Sequence, residues 1–136
     1  MKESIPLTWR RIPERYRLEG TICDSCKNAY FPPRTICPKC RRKGKIKKYS
    51  FSGTGKIVSF STVYSPPYGF ERNVPYVLAI VELEKGARLT AEIVDATEKD
   101  VNVGDKIELV FRKIQQEDPE GVIHYGYKFR LIKNKD

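Results

Sequence analysis

Four cysteines stand at positions 23, 26, 37 and 40, as C-D-S-C and C-P-K-C with ten residues between. Two C-x-x-C knuckles this close together suit a tetrahedral metal site, each pair supplying two thiolates. The chain has no other cysteine, so Cys23, Cys26, Cys37 and Cys40 are the whole supply. Three readings of the quartet compete: structural zinc, a redox iron centre, and a pair of disulfides. A reducing compartment disfavours the disulfides. Basic, polar flanks make a poor low-dielectric shell for tuning an iron potential. Structural Zn²⁺ is therefore the expected cofactor. With all four positions filled by protein, no coordination site stays open for water or substrate, which argues against catalytic zinc.

Knuckles often carry glycine after the second cysteine, where the backbone turns with φ > 0. Here Lys27 and Arg41 occupy those positions. Asn28 is expected to take the left-handed conformation in the first knuckle. The second knuckle has no such substitute before Gly44 and is expected to be looser.

The chain has 136 residues, enough for one ordinary domain or two small ones. Its apolar and charged fractions, 40% and 32%, are those of a globular protein. The longest apolar run, Tyr76 to Val81, is far short of the ~20 residues a membrane span needs. The N-terminal sequence has no apolar signal region, and a cytoplasmic, non-membrane protein is expected. Charge is uneven. Residues 1–50 hold 14 Lys and Arg against 4 Asp and Glu, whereas 51–136 hold 12 against 13. The basicity belongs to the cysteine-bearing part, which points to modules with different surfaces.

Three units are expected. Residues 1–20 form a helical arm, because Ile5, Trp9, Ile12 and Tyr16 recur at helical spacing; Pro13 divides it or starts a second turn. Residues 21–50 form the metal module, with F-P-P-R between the knuckles and the basic run R-R-K-G-K-I-K-K after Cys40. So small a segment cannot fold on hydrophobic burial alone, and structural zinc contributes about 10–16 kcal/mol in comparable peptides. Residues 51–136 read as β-structure. Val58, Phe60, Thr62 and Tyr64 share one side of a first strand. Val77, Ala79, Val81 and Leu83 share a side of the second, with a turn at Lys85-Gly86. Leu89, Ala91 and Ile93 mark the third, and Ile107, Leu109 and Phe111 the fourth. In the fifth, Ile123, Tyr125, Tyr127, Phe129 and Leu131 are expected inward, with His124, Lys128 and Arg130 outward. Five such segments, with a short connection between the third and fourth, suit a five-stranded Greek-key barrel of the OB type. The fold class is thus mainly β: a helical arm, a zinc ribbon and an OB-fold barrel.

Further residues carry the resemblance to a known family. They are W-R-R-I-P-E-R-Y-R-L-E-G-T-I-C-D-S-C, then Y-F-P-P-R-x-x-C-P-K-C, then V-P-Y-V-L-A-I-V-E-L and V-G-D-K-I-E-L-V-F. The chain resembles the archaeal and bacterial family that joins a rubredoxin-like zinc ribbon to an acyl-CoA-associated OB-fold. The resemblance implies a scaffold without catalytic activity. In archaea the resemblance implies an accessory subunit that holds acetoacetyl-CoA thiolase against hydroxymethylglutaryl-CoA synthase at the entry to the mevalonate pathway. It also implies that the four cysteines hold the metal.

As a scaffold, the chain would dock through Trp9, Arg10, Arg11 and Tyr16, since Trp, Tyr and Arg are the usual interface anchors. The competing reading is that Trp9 and Tyr16 merely cover the ribbon or barrel. Loop 65–75, with Tyr68 and Phe70 exposed by its turn, is a second contact candidate or a bland loop. The basic run suits the phosphates of coenzyme A, an acidic partner or plain solvation. Zinc ribbons and OB-folds also bind nucleic acid, but here barrel strands two and three offer only Tyr76, and the loop between strands four and five is acidic. Catalysis is not expected. No nucleophile or phosphate-loop motif is present, His124 is the only histidine, and Glu92 with Asp95, or Glu117 with Asp118, reads as surface charge.

Overall fold

The computed structural model describes residues 4–116 and 122–132. Ser4 opens helix α1 (Ile5–Arg10), its hydroxyl accepting from the Leu7 N–H. Pro13 does not kink a continuous helix. It stands in the first turn of a second one, α2 (Ile12–Arg17), where the missing N–H costs nothing. Leu18 ends α2 at φ 52 and turns the chain into the first strand, with its side chain fully buried.

Strands β1 (Glu19–Cys23), β2 (Ala29–Tyr30) and β3 (Ile46–Ser50) make an antiparallel sheet of order β2-β1-β3. Gly20 is required by close approach: a Cβ there would collide with the Tyr30 carbonyl and the Phe51 ring.

Five strands follow: β4 (Thr54–Val63), β5 (Tyr76–Glu82), β6 (Arg88–Val94), β7 (Lys106–Gln116) and β8 (Ile123–Leu131). They close into a barrel of order β4-β5-β6-β8-β7, in which only the β6–β8 pairing is parallel. This is the OB arrangement. Val77, Ala79, Val81, Leu89, Ala91, Ile93, Ile107 and Phe129 fill it, as period-two alternation requires. Lys85 and Gly86, both at positive φ, make the β5–β6 turn. The polar connection before β7 contains one 3-10 turn, Glu98–Asp100, closed by a capping box on Thr97.

Two strands depart from simple alternation. In β4 a register shift between Ile57 and Ser59 reverses the pattern, so Ile57 lines the core and Val58 does not share a face with Phe60. In β8 the expected faces fail over the first half. Among the described pairings β8 meets β6 only at Phe129 and Arg130, so its earlier residues have β7 as their sole strand neighbour. A second irregularity, between Lys113 and Gln115, shifts that register. The two strands outrun the barrel as an arm. There Phe111, Ile123 and Tyr125 are exposed, while His124 and Lys128, expected outward, are buried. Lys128 meets Glu92 at 2.7 Å, so Glu92 belongs to a shielded ion pair and is not plain surface charge. Asp95 does lie at the surface, paired with Arg112 at 3.0 Å. Glu117 and Asp118 lie outside the described residues.

Ribbon and barrel share one core. Phe31, between the knuckles, sits edge-on to Phe51 (6.3 Å between centroids) and to Tyr127 of β8 (5.5 Å). The arm is tied down in the same manner: Tyr16 of α2 meets Phe111 edge-on at 5.0 Å, and Phe111 stacks on Tyr125 at 5.4 Å. No described helix is long and apolar enough to cross a membrane.

Candidate metal centre and docking surfaces

The four sulfurs come from two tight turns brought face to face. Cys23 ends β1, and the chain folds back so that the Lys27 N–H donates to the Cys23 carbonyl at 2.8 Å. The Arg41 N–H donates to the Cys37 carbonyl over the same 2.8 Å. Closing each turn puts the residue after its second cysteine at positive φ. Lys27 and Arg41 take that conformation themselves, at 62° and 51°. Asn28 does not, contrary to the expectation; its side-chain amide instead points at Cys26 Sγ, 3.5 Å away. The second knuckle closes as tightly as the first by this measure. Gly44 packs beneath it, where a Cβ would stand 3.0 Å from those of Cys37 and Cys40.

All four Sγ atoms lie within 4.8 Å of one another. Cys26 and Cys37, from opposite knuckles, are 3.6 Å apart. Sulfurs each ~2.3 Å from a central zinc stand about 3.8 Å apart, whereas a disulfide requires about 2.05 Å. The quartet therefore fits a tetrahedral cation. Cys23 and Cys37 are fully buried, and Cys26 and Cys40 partly so.

The surroundings favour thiolate. Tyr30 Oη lies 3.4 Å from Cys37 Sγ, and the Cys40 N–H donates to the same sulfur at 3.4 Å. These donors, Tyr30 first, pull the Cys37 thiol down to about 6. Conversely, donating to that sulfur pushes the Tyr30 phenol up to about 12. Cys23 is lowered, chiefly by the Cys26 N–H. Cys40 is pushed up to about 12, chiefly by its hydrogen bond with the Cys26 sulfur. Thiolates are the form that binds a cation, so metal binding at the quartet releases protons.

Trp9 projects from α1 with 71% of its surface exposed, beside exposed Arg10 and Arg11. Tyr16, by contrast, is part of the packing against Phe111. Tyr68 is 85% exposed at the tip of its loop. Phe70, expected to be exposed with it, is half-buried and leans on Tyr76 at 6.3 Å between centroids. Sequence reasoning missed the exposure of Phe111 and Tyr125. The available signal was the loss of alternation around Lys113-Ile114-Gln115.

A cysteine-clasped ribbon fused to an OB barrel defines a class of two-module proteins, and comparison with known proteins agrees. Residues 10–45 match the family model "ChsH2, rubredoxin-like zinc ribbon domain", and 49–112 match "ChsH2, C-terminal OB-fold domain". The chain belongs to the family of DUF35 domain-containing scaffold proteins. It is 52% identical over 123 residues to the protein of that description from Methanothermobacter thermautotrophicus, spanning 90% of this chain and 92% of the relative. It is 50% identical over 127 residues to the one from Methanocaldococcus jannaschii, spanning 93% and 90%. Among solved structures it resembles a chain of the "Ltp2-ChsH2(DUF35) aldolase", with TM-score 0.68, 27% identity and 96% of each chain covered. The structural zinc expected from the cysteine spacing is consistent with the zinc-ribbon match and with the sulfur geometry.

Proposed function

We propose that this protein is a non-catalytic, cytoplasmic scaffold of acyl-CoA metabolism. It bridges acetoacetyl-CoA thiolase and hydroxymethylglutaryl-CoA synthase at the entry to the mevalonate pathway. The observation that carries this reading is that Trp9 on α1 and Tyr68 on the β4–β5 loop are uncovered aromatics on separate elements, the two most exposed among the described residues. Buried aromatics supply most of the binding energy at protein interfaces, and a connector needs two such sites. Trp9 with Arg10, Arg11 and the edge of Tyr16 forms one; Tyr68 with the half-buried Phe70 forms the other. The scaffold description of the relatives and the aldolase partner of the structural neighbour support the reading. The metal's role is structural, because its four ligands are all protein. Acyl-CoA is met at a surface shared with the enzymes and not in a pocket of this chain.

Purification of the tagged, full-length protein from native extract is the test. Thiolase and synthase bands are expected, weakened by Trp9→Ala, with acyl-CoA retained by the assembly and not by the isolated chain. Recovery of nuclease-sensitive RNA or DNA with neither enzyme would overturn the proposal in favour of nucleic-acid binding.

A further inference from the structure

The second knuckle carries charge that the fold does not use. Lys39, Arg41, Arg42 and Lys43 are all exposed, and none forms an ion pair among the described residues. The first knuckle differs. There Asp24 takes Lys47 at 2.8 Å and Lys27 at 4.0 Å. Four cations within five residues, without an opposing charge, repel one another.

Arg41 stands at φ 51, where glycine is free and any side chain is disfavoured. The fold alone would favour glycine there. Lys27 takes the same conformation in the first knuckle, but there its ammonium reaches Asp24, whereas the Arg41 guanidinium has no ion-pair partner among the described residues. Ile36, the residue before Cys37, is 66% exposed. The Cys37 backbone is bridged to that of Arg41, which sets Ile36 and the cations on adjoining stretches of the same knuckle.

Cations around an apolar centre match a protein surface that has an apolar depression and an acidic rim. Single-stranded nucleic acid needs aromatic platforms between the cations. The aromatics of this module are engaged elsewhere: Tyr30 with Cys37 Sγ, and Tyr49 with Phe51 beneath Lys85.

We infer that the second knuckle, centred on Ile36 and Arg41, is a docking surface for an acidic face of one of the two enzymes joined by the scaffold, separate from the Trp9 and Tyr68 contacts. This rests on the scaffold reading. The electrostatic part acts mainly on the rate of encounter and weakens with salt.

The zinc-loaded full chain is immobilised, and association of purified thiolase and purified synthase is followed at ~50 and ~300 mM salt. Three variants are compared with wild type: Arg41→Glu/Arg42→Glu/Lys43→Glu, Ile36→Ser and Arg41→Gly. For one enzyme, the charge reversal should slow association by about tenfold or more at low salt and flatten the salt dependence. Ile36→Ser should speed dissociation of that enzyme. Arg41→Gly should resist urea at least as well as wild type yet associate more slowly, which no loss of folding explains. Wild-type rates for all three variants with both enzymes overturn the inference and leave the scaffold reading standing. Failure of the wild-type chain to bind either enzyme overturns both. Binding of a labelled single-stranded RNA that is abolished by the charge reversal, with enzyme association unchanged, reassigns the surface to nucleic acid.

Discussion

Arg41 and Lys27 show how a local hydrogen bond overrides a residue's own preference. Their spacing from the cysteines was legible; their conformation was not. A left-handed turn costs an L-residue about 1–2 kcal/mol. Each knuckle nevertheless closes on a 2.8 Å bond between backbone groups, and metal binding supplies far more than that cost. In the sequence Tyr30 is only the first residue of the Y-F-P-P-R motif, yet its hydroxyl reaches Cys37 Sγ. A donor that orients a metal ligand typically changes affinity 10–100-fold. Tyr30→Phe should therefore weaken zinc binding by about tenfold, measured by competition with a chromogenic chelator. The pH dependence follows from sign. Folding lowers the Cys37 thiol from 9.0 to about 6, so its contribution is present above the ordinary thiol value and lost as pH falls through 6. Removing the donor raises that value, so the variant should release metal at a higher pH than wild type. Equal release curves for the two proteins would contradict this role for Tyr30.

Strand elements were legible wherever both sides of the strand are bounded by the barrel. The faces of β5 and β6 follow alternation throughout, because each is paired along its length with a neighbour on the closed sheet. The arm made by β7 and β8 breaks the rule, since alternation predicts opposite faces but not which one is covered. Lys128 is the clearest consequence. Its side chain and that of Glu92 keep only 9% and 15% of their surface in water. Removing one member of such a pair leaves a shielded charge without its partner. Lys128→Met or Glu92→Leu alone should each cost about 2–4 kcal/mol, while the double substitution recovers most of the loss. Urea denaturation of the four proteins checks this; additive losses would show that the charges do not act as a pair.

At the scale of the molecule, Phe31 is the joint between modules. It lies between two metal-ligand pairs in the sequence, yet its ring packs against Phe51 and Tyr127 in the barrel core. The ribbon's metal and the barrel's hydrophobic core are thereby made to support each other. Phe31→Ala should destabilise the chain by about 3–5 kcal/mol. The four sulfurs come from other positions, so zinc should remain stoichiometric at room temperature. Paired measurements of zinc content and thermal unfolding test this. Loss of metal without loss of barrel stability would mean that Phe31 serves only the ribbon. The same joint sets the basic ribbon beside a nearly neutral barrel, as the charge asymmetry of the sequence anticipates.

The sequence by itself determined the ligand set, the number of barrel strands and the placement of basic charge in the first third. Metal spacing, strand period and net charge are local or additive properties, readable without knowing what packs where. The tertiary structure decided the rest. It left Trp9 and Tyr68 uncovered while enclosing Phe31 and half-covering Phe70. It buried His124 and Lys128 and exposed Phe111 and Tyr125, against the alternation of their strands. It also placed the left-handed turns on Lys27 and Arg41. Burial depends on the elements that cross over a side chain, and those elements come from distant parts of the chain.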